Sequence, residues 1–197
     1  MIRSTPEEAL AELRRGHERY RDAQTETGGL TSHRAELSKG QQPIAAILSC
    51  ADSRVVPEYL FDQSAGRLLV TRVAGNFVTN EILASIEFGI RVLEIPLVVV
   101  LGHSACAAIE TTATHLSEGT ALPGKLDTLV AGLTASVEAV RDQPGPLIEN
   151  ATRENVRRNV AALCGSEPIL APAITRGGLR VQGAIFDVAT GSVEFLD

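Results

Sequence analysis

Two short stretches carry the residue types that could do chemistry. In Cys50-Ala51-Asp52-Ser53-Arg54 a thiol, a carboxylate and a guanidinium alternate, and His103-Ser104-Ala105-Cys106 adds a His-x-x-Cys pair. Each stretch closes an apolar run, IAAILS before Cys50 and LVVVLG before His103. Two cysteines and one histidine suit a borderline-soft ion, with Zn2+ first among them. Three protein ligands leave one tetrahedral position open, which is how a catalytic rather than a structural zinc is held. Two thiolates bring two negative charges, so the ion they hold acidifies water less than one held by three histidines. A neighbouring group must compensate. Asp52 and Arg54 stand on the turn after the first ligand, where the guanidinium can keep the carboxylate ionised and aim it at the metal.

For these stretches to make one site, the ends of two strands must meet. Four aliphatic runs bounded by turn signals read as strands: 44–49, 68–73, 97–101 and 179–188. Helical periodicity covers 6–22, opened by the capping box of Thr5 and Glu8, with Leu10, Leu13, His17 and Tyr20 on one face. It returns in the segment around 82–93 and in 105–118, 124–141 and 147–164. Residues 25–33 read as an irregular loop, and Ala-Thr-Gly at 189–191 predicts a hairpin into a short terminal strand, 192–196. Continuous apolar strands alternating with helices predict a single α/β domain over 1–197. Its mostly parallel central sheet would be flanked by helices and end in a short antiparallel strand. Within it, 1–35 forms an N-terminal helix and loop arm and 36–197 the α/β core. The first helix is free to pack on its own core or on a partner subunit. In such a sheet ligands bind beyond the carboxyl ends of the strands, where Cys50 and His103 fall.

The 197 residues are 44% hydrophobic and suffice for a real core, built on aliphatic side chains because aromatics make up 4% and tryptophan is absent. A net charge of −6 and a pI near 5.3 exclude the basic stripe that a nucleic-acid surface needs. The longest apolar run, Ile95 to Gly102, falls short of the ~20 residues a membrane span requires. The N-terminus is charged and periodic rather than signal-like, so the expected compartment is the cytoplasm. Three cysteines cannot all pair, and in a reducing compartment cysteines beside a histidine point to metal or catalysis.

Cys-x-Asp-x-Arg followed downstream by Gly-His-x-x-Cys resembles the β-class carbonic anhydrases. The likeness extends to RVAGN (72–76), SIEFGI (85–90) and the Gln-x-Pro of GQQPIAAILSC, so it covers residues 5–110 closely and the remainder by its pattern of strands and helices. The resemblance implies zinc-dependent, reversible hydration of CO2 to bicarbonate and a proton by a zinc-bound hydroxide. Carried over, Cys50, His103 and Cys106 are the ligands of one zinc per chain, and Asp52 and Arg54 the dyad that orients the hydroxide. Gln41 matches a glutamine that reaches a substrate pocket built, in many members, across a dimer interface; Leu69 and Phe88 fall in matched segments as pocket walls. A homodimer or homotetramer is expected. The alternatives are a carbonyl sulfide or carbon disulfide hydrolase on the same zinc, or a non-catalytic zinc or bicarbonate-sensing relative. The intact Asp52–Arg54 pair argues against the last.

The sequence also departs from the family pattern. Ala107-Ala108 replaces the Gly-Gly of many relatives, a change read as packing at a helix start. Without tryptophan, the Trp-Arg-Tyr bicarbonate pocket of some relatives cannot form, and Arg72 is expected in a structural salt bridge. Cys164 reads as a buried free thiol, and His17, His33 and His115 as surface or helix-face residues. Lys125 and the Glu/Arg pairs of 149–158 read as a solvated helix face.

Overall fold

The computed structural model describes residues 4–26, 34–119 and 121–197. Its sheet has five strands: β1 (Ala45–Ser49), β2 (Leu68–Arg72), β3 (Leu97–His103), β4 (Arg180–Phe186) and β5 (Val193–Phe195). They lie in the order β2-β1-β3-β4-β5, the first four parallel and β5 antiparallel to β4. This is the mostly parallel α/β sheet with a terminal antiparallel strand that the apolar runs predict. Every residue of β1 and β3 is buried, as expected of strands covered on both faces.

Alternate residues face two different layers. Ile47, Val99 and Leu101 pack with Leu60 and Phe61 of the short helix α3 (Pro57–Leu60) and its end, and with Ala9, Leu10 and Leu13 of α1 (Pro6–Arg21). Of the two placements left open for the first helix, its apolar face therefore takes its own core. The capping box forms as predicted: Glu8 N–H donates to Thr5 Oγ1, and Thr5 N–H to Glu8 Oε2. On the other face, Ala46, Leu48, Val98 and Val100 meet α4 (Asn80–Val92), α7 (Leu147–Cys164) and α8 (Leu170–Thr175). A third cluster caps the carboxyl edge of the sheet. There α5 (Ala107–Glu118) and α6 (Leu126–Glu138) join the start of α7 around Cys50, Phe77 and Cys106.

The strand order reverses direction between β1 and β3, since the chain leaves β1 toward β2 on one side and β3 toward β4 on the other. Open α/β sheets bind ligands at such a switch point, beyond the carboxyl ends. Ser49 pairs with Leu101, so Cys50 and His103 emerge side by side there.

Two side chains differ from the sequence expectation. His17, expected at the surface or on a helix face, is buried: Nδ1 is 3.1 Å from Leu60 O, and Nε2 accepts from Val193 N–H at 2.9 Å. Its place on the face of Leu10 and Leu13 explains this. Cys164, expected to be buried, is exposed, because it stands one residue past the buried Leu163, about 100° around the helix. His33 and most of the loop 25–33 lie outside the described residues. Among the described residues no helix is long and apolar enough to cross a membrane.

Candidate metal centre

Cys50 Sγ, Cys106 Sγ and a ring nitrogen of His103 all lie within 4.8 Å of one another, and all three residues are buried. Each is placed by the end of a regular element. Cys50 follows the last residue of β1, His103 is the last residue of β3, and Cys106 is the N-cap of α5. Gly102 just before His103 has no room for a side chain, since a Cβ there would meet Val156 Cγ2 of α7 at 2.6 Å. Ala105, at φ 53°, turns the chain between His103 and Cys106.

His103 Nδ1 is 2.9 Å from Ser104 O. A carbonyl can only accept, so Nδ1 carries the proton and Nε2 presents its lone pair. That Nε2 is buried without a protein partner. An orphaned imidazole nitrogen beside two thiols fits a soft or borderline cation, and the donor set Cys2His matches zinc. The sulfurs are prepared for it. Cys50 Sγ accepts from Gly75 N–H at 3.3 Å and from Asp52 N–H at 3.4 Å. Cys106 is buried at the start of α5, where the positive end of the helix favours its thiolate. The two thiols lie close together, and this proximity drives Cys50 down and, together with burial, Cys106 up. A divalent cation would displace the thiol protons.

Asp52 and Arg54 form the expected pair. Arg54 Nε donates to Oδ1 at 2.9 Å and Nη2 to Oδ2 at 2.7 Å, while Arg54 N–H adds a bond to Oδ1 at 2.9 Å. This fork holds the Asp52 carboxyl well below the usual carboxylate range. Arg54 Nη2 also donates to Ala105 O at 3.1 Å, so one side chain ties the Cys50 turn to the His103–Cys106 turn.

Arg72 corrects a sequence expectation. Instead of a salt bridge it donates to two main-chain carbonyls, Cys50 O from Nε at 2.9 Å and Asp52 O from Nη2. Gln41, Leu69 and Phe88 are not brought to this cluster in their own chain. Gln41 precedes β1, at the opposite edge of the sheet; Leu69 pairs with Ala46, four residues before Cys50; Phe88 is half-exposed on α4. Ala108 packs partly buried against the cluster around Cys106, as read for the Ala-Ala pair, and Ala107 is exposed.

A Cys2His cluster able to hold a metal ion at the switch point of a parallel sheet, with a carboxylate–guanidinium pair on the adjoining turn, defines an α/β protein with a candidate metal site. Comparison with known proteins makes the class specific. The carbonic anhydrase family model matches residues 45–193. A carbonic anhydrase of Mycolicibacterium smegmatis is 34% identical over 98% of this chain and 95% of its own, and carbonic anhydrase 2 of Mycobacterium tuberculosis is 32% identical over 100% and 96%. Among solved structures, the β-carbonic anhydrase CcaA superposes with a TM-score of 0.76 at 28% identity over 95% of both chains. A tetrameric β-carbonic anhydrase of Sordaria macrospora gives 0.72 at 28% over 84% and 87%. The chain belongs to the β-class carbonic anhydrases, a family of enzymes.

Proposed function

We propose that this chain catalyses the reversible hydration of CO2 to bicarbonate and a proton at a zinc ion held by Cys50, His103 and Cys106. The observation that carries the reading is the buried convergence of those three ligand atoms within 4.8 Å, beside an ionised Asp52. Zinc held there would supply the Lewis acidity that makes a nucleophile available from water near neutral pH. Asp52 acts as an acceptor. Arg54 donates twice to Oδ1 and once to Oδ2, which leaves a lone pair on Oδ2 free to accept the O–H of the attacking nucleophile and set its direction. Because its pKa lies far below neutrality, the carboxylate keeps this role throughout the working range. Arg54 is the positioning residue that fixes it.

CO2 is uncharged and apolar, and aliphatic side chains with few donors suit it. Gln41, Leu69 and Phe88, remote from their own metal centre, serve as the substrate pocket of a second copy in a homodimer or homotetramer. Phe88 and Val92 on α4 are large exposed apolar side chains, at 50% and 58%, on the flank of the sheet formed by β2, which supports that assembly. The chain works in the cytoplasm, where its free cysteines stay reduced.

Metal analysis together with stopped-flow CO2 hydration tests the reading. The purified protein should hold about one zinc per chain and hydrate CO2, and Cys106→Ser should lose both, since two remaining ligands are too few for an open site. Zinc-loaded protein that leaves CO2 untouched but hydrolyses carbonyl sulfide or carbon disulfide would move the assignment to the sulfur analogues.

A further inference from the structure

The segment between β2 and α4 brings a main-chain donor to the metal centre, and its backbone is unusual. Gly75 has φ 83° and Asn76 φ 39°, so two successive residues sit in left-handed conformations. Position 75 admits only glycine on two counts: the positive φ, and a Cβ that would lie 2.7 Å from Leu133 Cδ1. The turn does not hold itself by side chains. Asn76 is 1% exposed, yet neither atom of its amide group has a hydrogen-bond partner.

The hold comes from a helix on the far side of the segment. Asn155 of α7, fully buried, donates from Nδ2 to Gly75 O at 2.8 Å. One turn further along, Asn159 accepts from Val78 N–H at 2.7 Å through Oδ1. Asn159 Nδ2 in turn donates to Asn155 O at 2.7 Å and to Asn155 Oδ1 at 3.0 Å, and Ser136 Oγ of α6 donates to the same Oδ1 at 3.3 Å. The two amides thus orient each other and grip the turn at both ends. Gly75 is held by its carbonyl, and its N–H, on the other side of the residue, points at Cys50 Sγ.

We infer that Asn155 and Asn159 are positioning residues of the metal centre, which act through Gly75 to hold an N–H donor on the Cys50 sulfur. The inference rests on the zinc reading above. Buried polar groups on a helix carry a desolvation cost, and a network this complete is retained where a unique geometry is needed. An N–H···S bond withdraws electron density from a thiolate, and hydrogen bonds to ligand sulfur are a recognised lever on the metal they bind. Without the grip, the turn relaxes, the amide leaves the sulfur, and Cys50 becomes both more electron-rich and less well placed.

Cobalt-substituted protein reports on this directly, because its sulfur-to-metal charge-transfer band follows the electron density on the thiolates. Asn155→Ala should move that band to longer wavelength and release metal to a chelator about 10-fold faster than wild type. Asn159→Ala, which acts through Val78 and Asn155, should shift both in the same direction by less, and keeps the test available if the first variant folds poorly. Leu163→Ala loosens the same helix without touching Gly75. It should lower the thermal midpoint and leave the band in place. A folded Asn155→Ala or Asn159→Ala protein with the wild-type band and release rate would overturn the inference, as would a band shift of equal size in Leu163→Ala. Wild-type protein that takes up neither zinc nor cobalt would instead remove the metal reading, and this inference with it.

Discussion

The turn that carries Cys50 and the turn that carries His103 and Cys106 deliver side chains to one cluster, yet they are held in opposite ways. The downstream turn is held by its immediate surroundings. Its histidine ends a strand, its cysteine opens a helix, and Ser104 fastens it to the end of β4 through Ser104 N–H to Phe186 O and Val188 N–H to Ser104 Oγ. The Cys50 turn has no helix of comparable length behind it. It is gripped by side chains from elsewhere, Arg72 on its carbonyls and Asn155 through Gly75, and its own Arg54 reaches across to the second turn. A ligand on regular structure inherits its geometry, whereas a ligand on an irregular turn needs remote hydrogen bonds to define one. Zinc affinity should therefore depend more on what surrounds Cys50 than on what surrounds Cys106.

The largest effect should come from the one side chain that serves both turns. Arg54→Ala removes the fork on Asp52 and the link to Ala105 O, while leaving all three ligands in place. Turnover should fall by about 10–100-fold, the usual cost of an outer-shell partner, with zinc content near that of wild type. Stopped-flow rates and metal analysis on the same preparation check it. Hydration at the wild-type rate would take the Asp52–Arg54 pair out of the mechanism.

A smaller effect tests the asymmetry itself. Arg72→Ala frees the carbonyls of Cys50 and Asp52 and should speed chelator-driven zinc loss by about 10-fold. Its counterpart on the downstream turn, Ser104→Ala, deletes one hydrogen bond from a segment that strand and helix already fix, and its release rate should stay close to wild type. Equal acceleration in the two variants would break the comparison.

The same contrast decides what could be read from the sequence. Cys50, Asp52, Arg54, His103 and Cys106 were legible because their chemistry is local: each motif spans a few residues and ends an aliphatic run. The parallel strands were legible for a related reason, since continuous burial leaves continuous apolar runs. Gly75, Asn155 and Asn159 were not legible as supports. Asn155 meets Gly75 across 80 positions, and a polar residue amid the Glu and Arg of 149–158 looks solvated until the fold turns it inward. Arg72 stands out in the sequence, but an arginine's partner is a tertiary fact, and here carbonyls take the place of a carboxylate. The helices α2 (Arg34–Leu37), α3 and α8 are too short to show a period. His17 is the instructive miss, because its spacing already placed it on the buried face while its residue type argued for the surface.

That histidine supplies the smallest and last test, and it concerns the downstream turn's own remote support. His17 Nε2 accepts from Val193 N–H, and Val193 pairs with Phe186, whose carbonyl fastens Ser104. The bond requires a neutral ring with the proton on Nδ1, facing Leu60 O. Burial first, and then the charge of Arg21, push the His17 pKa below its ordinary value of 6.5. An unfolded chain therefore takes up this proton at a higher pH than the folded one, and stability rises with pH wherever the unfolded state binds more protons. The contribution of His17 is full above about pH 6.5 and declines as pH falls through the window between 6.5 and the depressed folded value. The thermal midpoint should drop between pH 7 and pH 5.5 by more in wild type than in His17→Gln, which offers an uncharged acceptor at every pH. The turn around Cys106 should keep its zinc across the same window, because strand and helix hold it without β5. Parallel slopes in wild type and variant would show that another group sets the acid limb. Zinc loss in step with the falling midpoint would show that the downstream turn leans on remote contacts as heavily as the Cys50 turn does.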